Sequence, residues 1–342
     1  MPRTEIASIG EFGLIERISQ QFTNVLPQTI KGIGDDAAVI DAGGNDYLLL
    51  TTDLLVEGVH FDLSYVPLKH LGYKAVAINA SDIAAMNGIP HQITVSVALS
   101  NRFSVEAVEE LYAGIKAACD DYKIDLVGGD TSASRSGLVI SVTATGAVAK
   151  NAVTYRNGAK PNDIICVTGD LGAAYFGLQA LEREKQEFLA NPEMQPQLDE
   201  KEYVVSRQLK PAARTDVIFE LQEAGVVPTS MIDISDGLAS ELLHLCQQSK
   251  VGAAIFEENL PIEDATMLAA DDFKINPITA ALNGGEDYEL LFTIGQVDYE
   301  KIKNLSQITL IGYITNDATR VELGTKAGGR FPIQAQGWAG QV

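Results

Sequence analysis

Five short motifs, GIGDDAAV, TTDLLVEGVH, NASDIAA, VGGDTSAS and IDISDGL, each deliver one or two aspartates from Gly- or Ser-containing segments scattered along the chain. Single carboxylates supplied by many segments suit a cage for divalent cations around a polyphosphate. Two carboxylates about 4 Å apart repel by roughly 4 kcal/mol at an effective dielectric near 20, so convergence of several requires cations. Mg²⁺, a hard ion that prefers oxygen and arrives with substrate phosphates, is the natural partner. No GxxxxGK[ST] loop is present to cradle the phosphates instead.

Each residue also has a plainer reading. Asp82 follows Leu71, Ala75 and Ile78 at helical spacing, which puts a carboxylate on an apolar stripe. A charge buried there needs a cation, and a salt bridge to Lys74 or a solvated helix end is the alternative. Asp53 closes the apolar run YLLLTTD, where alternation puts Thr51 and Asp53 on one face and Thr52 on the other; a strand-ending turn explains it as simply. Asp35 and Asp36 sit in a glycine-bearing turn. Gly129 and Asp130 in VGGD offer backbone amides to a phosphate and a carboxylate to Mg²⁺, or form an ordinary loop. In IDISDGL, Asp233 and Ser235 share a strand face, and Asp236 leads into a helix whose N-terminus could meet an anion or be capped by it. His60 is a lone loop histidine, Glu286 interrupts the Gly-rich turn NGGEDYEL, and Tyr112 lies on a helix. Arg156 could clamp a phosphate in bidentate fashion, and Trp338, in the polar tail QGWAG, could stack on a flat ring.

The elements that must position these groups alternate between strand and helix, which makes the chain α/β or α+β. In the first half, Tyr47–Asp53, Gln92–Leu99 and Leu138–Val148 read as strands. Leu68–Met86 reads as a helix, as does Ser104–Tyr122, which is capped by Ser104. In the second half the strands are Ile164–Thr168, Met231–Ile234, Ala253–Phe256 and Tyr288–Ile294, and helices are expected from about Ala173 and over Ala213–Ala224 and Leu238–Gln248. The turn-rich stretch TYRNGAKPNDII divides the 342 residues into two domains, 1–150 and 151–342.

A net charge of −21 argues against nucleic acid or an anionic membrane as partner, and bound metal is a way for so acidic a protein to hold phosphate esters. No apolar run reaches membrane-spanning length. Three scattered cysteines, Cys119, Cys166 and Cys246, fit a reducing, cytoplasmic setting, and four histidines show no zinc spacing.

Taken in order, GEFGLI, GIGDDAAV, TTDLLVEGVHF, NASDIAAMN, VGGDTS, RNGAKPND, DISDGL and GGEDYEL resemble thiamine-monophosphate kinase, in the superfamily of aminoimidazole ribonucleotide synthetase and selenophosphate synthetase. The resemblance runs from about residue 10 to about residue 295. It implies a two-domain aminoimidazole ribonucleotide synthetase-like fold, with an N-terminal sheet pairing across a homodimer and a C-terminal α+β domain. The implied activity is direct transfer of the γ-phosphoryl group of ATP to thiamine monophosphate, giving thiamine diphosphate in a Mg²⁺-dependent reaction. Metal ligation is implied for Asp36, Thr51, Thr52, Asp53, Asp82, Asp130, Asp233 and Asp236, with Asp53, Asp130 and Asp236 catalytic. ATP would meet Tyr112, Gly129, Asp130, Arg156 and Ser235, and thiamine monophosphate would meet His60, Glu286 and Trp338. The rivals are a ribonucleotide cyclase, a selenophosphate synthetase, which would carry a reactive N-terminal Cys, and a non-catalytic nucleotide-binding regulator. No cysteine precedes Cys119, and every expected acid is present.

Overall fold

The computed structural model describes residues 8–336 apart from 194. Trp338 lies outside the described residues. The first sheet contains β1 (Thr29–Lys31), β2 (Ala38–Ile40), β3 (Asp46–Val56), β4 (Ile89–Leu99), β5 (Asp125–Ala133) and β6 (Val139–Ala149), in the order β1-β2-β3-β6-β4-β5. Only β4 and β5 run parallel, and β5 forms an edge. One face alternates Leu49, Thr51 and Leu55 with Ile140, Val142, Ile93 and Val95, and is buried. The opposite face carries Leu50 and Leu54, which stay exposed.

Helices α1 (Gly10–Ser19), α2 (Leu68–Ala85) and α3 (Val105–Tyr122) belong to this half. Helix α2 is buried almost all round, with Lys74, Asn79 and Ser81 buried beside its apolar residues. It packs on α3 and the first sheet, and also touches β8 (Ser230–Asp233), α5 (Glu202–Leu209) and α6 (Thr215–Glu223) of the second half. The α2–α3 crossing depends on two glycines. A Cβ at Gly72 would lie 2.0 Å from the Leu111 carbonyl oxygen, and one at Gly114 would lie 1.8 Å from that of Lys69. Ser104 caps α3 as expected, its hydroxyl accepting from the Ala107 amide at 3.3 Å.

The second sheet adds β7 (Ile164–Thr168), β9 (Gly252–Phe256), β10 (Leu290–Ile294), β11 (Ile308–Thr315), β12 (Val321–Gly324) and β13 (Arg330–Pro332) to β8, in the order β13-β12-β9-β11-β7-β10-β8. Its helices are α4 (Ala173–Ala190), α5, α6, α7 (Leu238–Ser249), α8 (Asp264–Phe273), α9 (Pro277–Asn283) and α10 (Tyr299–Ile302). One sheet face packs on α7 through Leu238, Leu242 and Leu245. The other packs on α6 and on Ala84 and Ala85 at the end of α2, so the two halves share a core. Among the described residues no helix is long and apolar enough to cross a membrane.

Two local expectations change. Asp53 does not end its strand: β3 continues to Val56 and pairs with β6 throughout, with Asp53 opposite Val142. A carboxylate inside a paired strand is held by the neighbouring strand, here β6, rather than by a turn. VGGD is likewise not a loop but the middle of β5, with Gly129 opposite Val95. A Cβ at Gly129 would fall 1.9 Å from the Val95 carbonyl oxygen, so close strand approach accounts for that glycine.

Candidate active site

Three carboxylates from three distant segments converge where the halves meet. Asp36 comes from the turn before β2, Asp82 from the last turn of α2 and Asp233 from the end of β8. One oxygen of each lies within 4.8 Å of the others. Short bonds hold them in place. The Thr51 hydroxyl, on β3, donates to Asp82 Oδ2 at 2.5 Å, and the Ser81 hydroxyl donates to Asp233 Oδ2 at 2.6 Å. Arg156 donates through Nε and Nη2 to Asp36 Oδ1, while its backbone amide donates to Asp35 Oδ1 at 3.0 Å.

Like charges in a dry site oppose ionisation. Burial, and then the charges of Asp53, Asp233 and Asp36, push the Asp82 carboxyl well above the usual carboxylate range. Burial and then Asp36 raise Asp233 to about 7, and burial raises Asp53 to about 6. Burial likewise raises Asp36 despite its arginine. Asp36 Oδ2 is buried without a hydrogen-bond partner among the described residues. An orphaned acceptor beside two further carboxylates, all hard oxygen donors, fits a divalent cation such as Mg²⁺.

The loops beside this cluster are interlocked. Ser235 and Asp236 follow β8, and the Asp236 amide donates to Glu241 Oε1 at 2.9 Å. Glu241 is itself buried, and burial drives its carboxyl well up. The Glu286 amide donates to the Ser235 carbonyl at 2.7 Å, which joins the NGGEDYEL turn to IDISDGL. His60 Nδ1 accepts from the Val56 amide at 3.0 Å, so the proton of the neutral ring sits on Nε2.

Tyr112, Gly129 and Asp130 form a second group, lining a cleft of about 490 Å³ with Val95 and Leu126–Thr131. They do not join the first. Asp130 lies opposite Ser96, which lies opposite Ser141, which lies opposite Leu54; Asp130 is therefore three strands, or about 14 Å, from β3. It also shares the open sheet face with Thr52, whose hydroxyl donates to the Val142 carbonyl, and not the covered face of Thr51 and Asp53.

Sequence reasoning missed Ser81, Glu241 and Gln208, and gave Lys74 a different partner. Ser81 was visible inside NASD, next to Asp82. Lys74 pairs not with Asp82 but with Glu286, at 3.0 Å. Gln208 left no local signal.

Two interlocked mixed-sheet halves with an acid cluster between them define a protein of the AIR synthase class. The AIR synthase related protein N-terminal domain matches residues 34–148, and the AIR synthase related C-terminal domain matches 160–320. Thiamine-monophosphate kinase of Aquifex aeolicus (strain VF5) is 36% identical over 307 residues, 89% of this chain and 92% of that protein. The Bacillus subtilis (strain 168) enzyme of the same name is 37% identical, covering 90% of this chain and 91% of its own. A solved structure of AaThiL complexed with AMPPCP and TMP superposes with a TM-score of 0.82 at 33% identity, over 98% of both chains. This chain belongs to the thiamine-monophosphate kinase family.

Proposed function

We propose that this protein transfers the γ-phosphoryl group of ATP to the phosphate of thiamine monophosphate, producing thiamine diphosphate and ADP by direct in-line displacement. The observation that carries this reading is the convergence of Asp36, Asp82 and Asp233 to within 4.8 Å. Asp36, Asp82 and Asp233, with Asp53, Thr51 and Asp236 at their margin, would hold Mg²⁺, which supplies charge neutralisation for the two phosphate-bearing reactants.

The remaining tasks fall to the chain itself. The attacking atom is an ionised phosphate oxygen, so no strong general base is required. Arg156 provides a guanidinium beside the cage for phosphate oxygens, and Ser235 lies on the loop next to Asp233. His60 Nε2–H and the Glu286 carboxylate are the donor and acceptor offered to the organic end of thiamine monophosphate. Trp338 is retained in that role on the family pattern alone. The boundary near residue 150 and a cytoplasmic setting, consistent with three buried free cysteines, belong to the same reading.

Tyr112, Gly129, Asp130 and Thr52 are reconciled with the cage by a homodimer. All nine residues of β5 are exposed at an unpaired edge, with Val127 61% and, on the open face, Leu54 53% accessible. A long bare edge beside an apolar face is a template for a second copy. We infer that the Tyr112–Asp130 cleft of one subunit completes the acid cluster of the other, each subunit supplying one part to its partner.

The test is the product formed from ATP, Mg²⁺ and thiamine monophosphate, resolved by phosphorus NMR, for wild type and Asp53→Asn. Thiamine diphosphate and ADP in equal amounts from wild type, and a loss of at least about a hundredfold in Asp53→Asn with its melting curve retained, are expected. Inorganic phosphate as the only product, or wild-type turnover in the variant, refutes the reading.

A further inference from the structure

Glu286 is held in a way that a simple surface contact would not need. Its backbone lies in the left-handed region at φ 59°, and Tyr288 two residues on lies at φ 52°. Such conformations are unfavourable for residues with a side chain, and they persist where the surroundings over-determine them. The carboxylate is gripped from two helices. Lys74 of α2, only 4% exposed, donates to Oε1 at 3.0 Å and also to the Gln208 carbonyl at 3.3 Å. Gln208, at the end of α5 and 7% exposed, donates through Nε2 to Oε2.

We propose that Lys74 and Gln208 are positioning residues that clamp Glu286 as a fixed hydrogen-bond acceptor for the N–H-bearing ring end of the phosphoryl acceptor. This rests on the reading of Glu286 as an acceptor contact. A carboxylate has about four acceptor sites and the clamp uses two. The Glu286 side chain remains 31% exposed, which leaves an edge for a ligand. A buried ammonium is costly unless paired, so Lys74 is bound to the carboxylate.

The clamp also sets a distance. Lys74, Ile78 and Asp82 follow one another at four-residue intervals on α2, so the residue fixing the ring-end carboxylate and the cage acid are separated by about 12 Å of helix. Because α2 is buried on nearly every side, that separation is rigid. An acceptor with its ring bound at Glu286 and its phosphate at the cage is therefore measured against one helix, which makes the clamp a determinant of acceptor specificity and leaves ATP untouched.

The experiment is a pair of double-mutant cycles, Lys74→Met with Glu286→Gln and Gln208→Leu with Glu286→Gln. Each variant is read by steady-state kinetics with thiamine monophosphate and ATP varied in turn, by calorimetric ATP binding and by a melting curve. Each clamp variant should raise the KM for thiamine monophosphate about tenfold to a hundredfold, with kcat at saturation and ATP affinity close to wild type. Each double variant should be no worse than Glu286→Gln alone. Should Lys74→Met fail to fold, Gln208→Leu decides by the same criteria. A raised KM in Glu286→Gln with none in the clamp variants, or multiplicative losses in the doubles, overturns the clamp. An unchanged KM in Glu286→Gln overturns the assignment of Glu286 and the clamp with it.

Discussion

Replacing Asp233 by asparagine separates what the acid cluster costs the fold from what it does for a ligand. Asp233 is 4% exposed, and its carboxyl is raised from 3.8 to about 7, by burial first and then by Asp36. Between those pH values the folded protein keeps a proton that the unfolded chain has released, so stability falls as pH rises through the window. Above it the full penalty, about 4 kcal/mol, is in force. Asparagine retains an acceptor for the Ser81 hydroxyl, which donates at 2.6 Å, and removes the charge. In EDTA the wild type should therefore lose melting temperature between about pH 4 and about pH 7, while Asp233→Asn loses far less, the gap at the alkaline end reaching about 6 °C. Adding Mg²⁺ should raise the wild-type midpoint most at high pH, with little response from the variant, whose turnover should be lost. Differential scanning calorimetry across pH, with EDTA or Mg²⁺, reads all of this. Identical pH profiles for the two proteins in EDTA would show that these carboxylates impose no cost on one another, and the cage would have to be abandoned.

Glu289, 1% exposed, is held by Arg214 at 2.6 Å, Arg207 at 2.8 Å and the Thr168 hydroxyl at 2.5 Å. Arg214→Met should therefore destabilise the second half by about 3 kcal/mol in guanidinium titration, and a loss below about 1 kcal/mol would mean that Arg207 alone suffices. On the bare edge, Val127→Lys should block pairing of two copies and yield monomers by sedimentation, with the melting curve preserved and turnover lost. A monomer with wild-type turnover would end the shared-site account.

Much of the scaffold was legible because its signals are local. The 3.6-residue period of α2 and α3, the Ser104 cap and the alternation along β6 lie within single segments. The face assignment in TTD also holds, since Thr51 turns to Asp82 and Thr52 to the opposite face. VGGD was read as a loop because paired glycines are ordinary turn formers, whereas here the requirement is close approach to Val95. Lys74 was weighed as a partner for Asp82, eight residues along the same helix, because its true partner, Glu286, is 212 positions away in the chain.

Side-chain chemistry alone settled that hard, oxygen-rich ligands are delivered by many segments, and hence the kind of cation and substrate they suit. Which acids meet was decided by tertiary structure. Strand register leaves Asp130 three strands from Asp53 on the open face, whereas the packing of α2 against β8 carries Asp82 to Asp233. Convergence of this kind depends on non-local pairing and helix crossing, in which one residue of slip reverses a face, and no short stretch of sequence records the outcome.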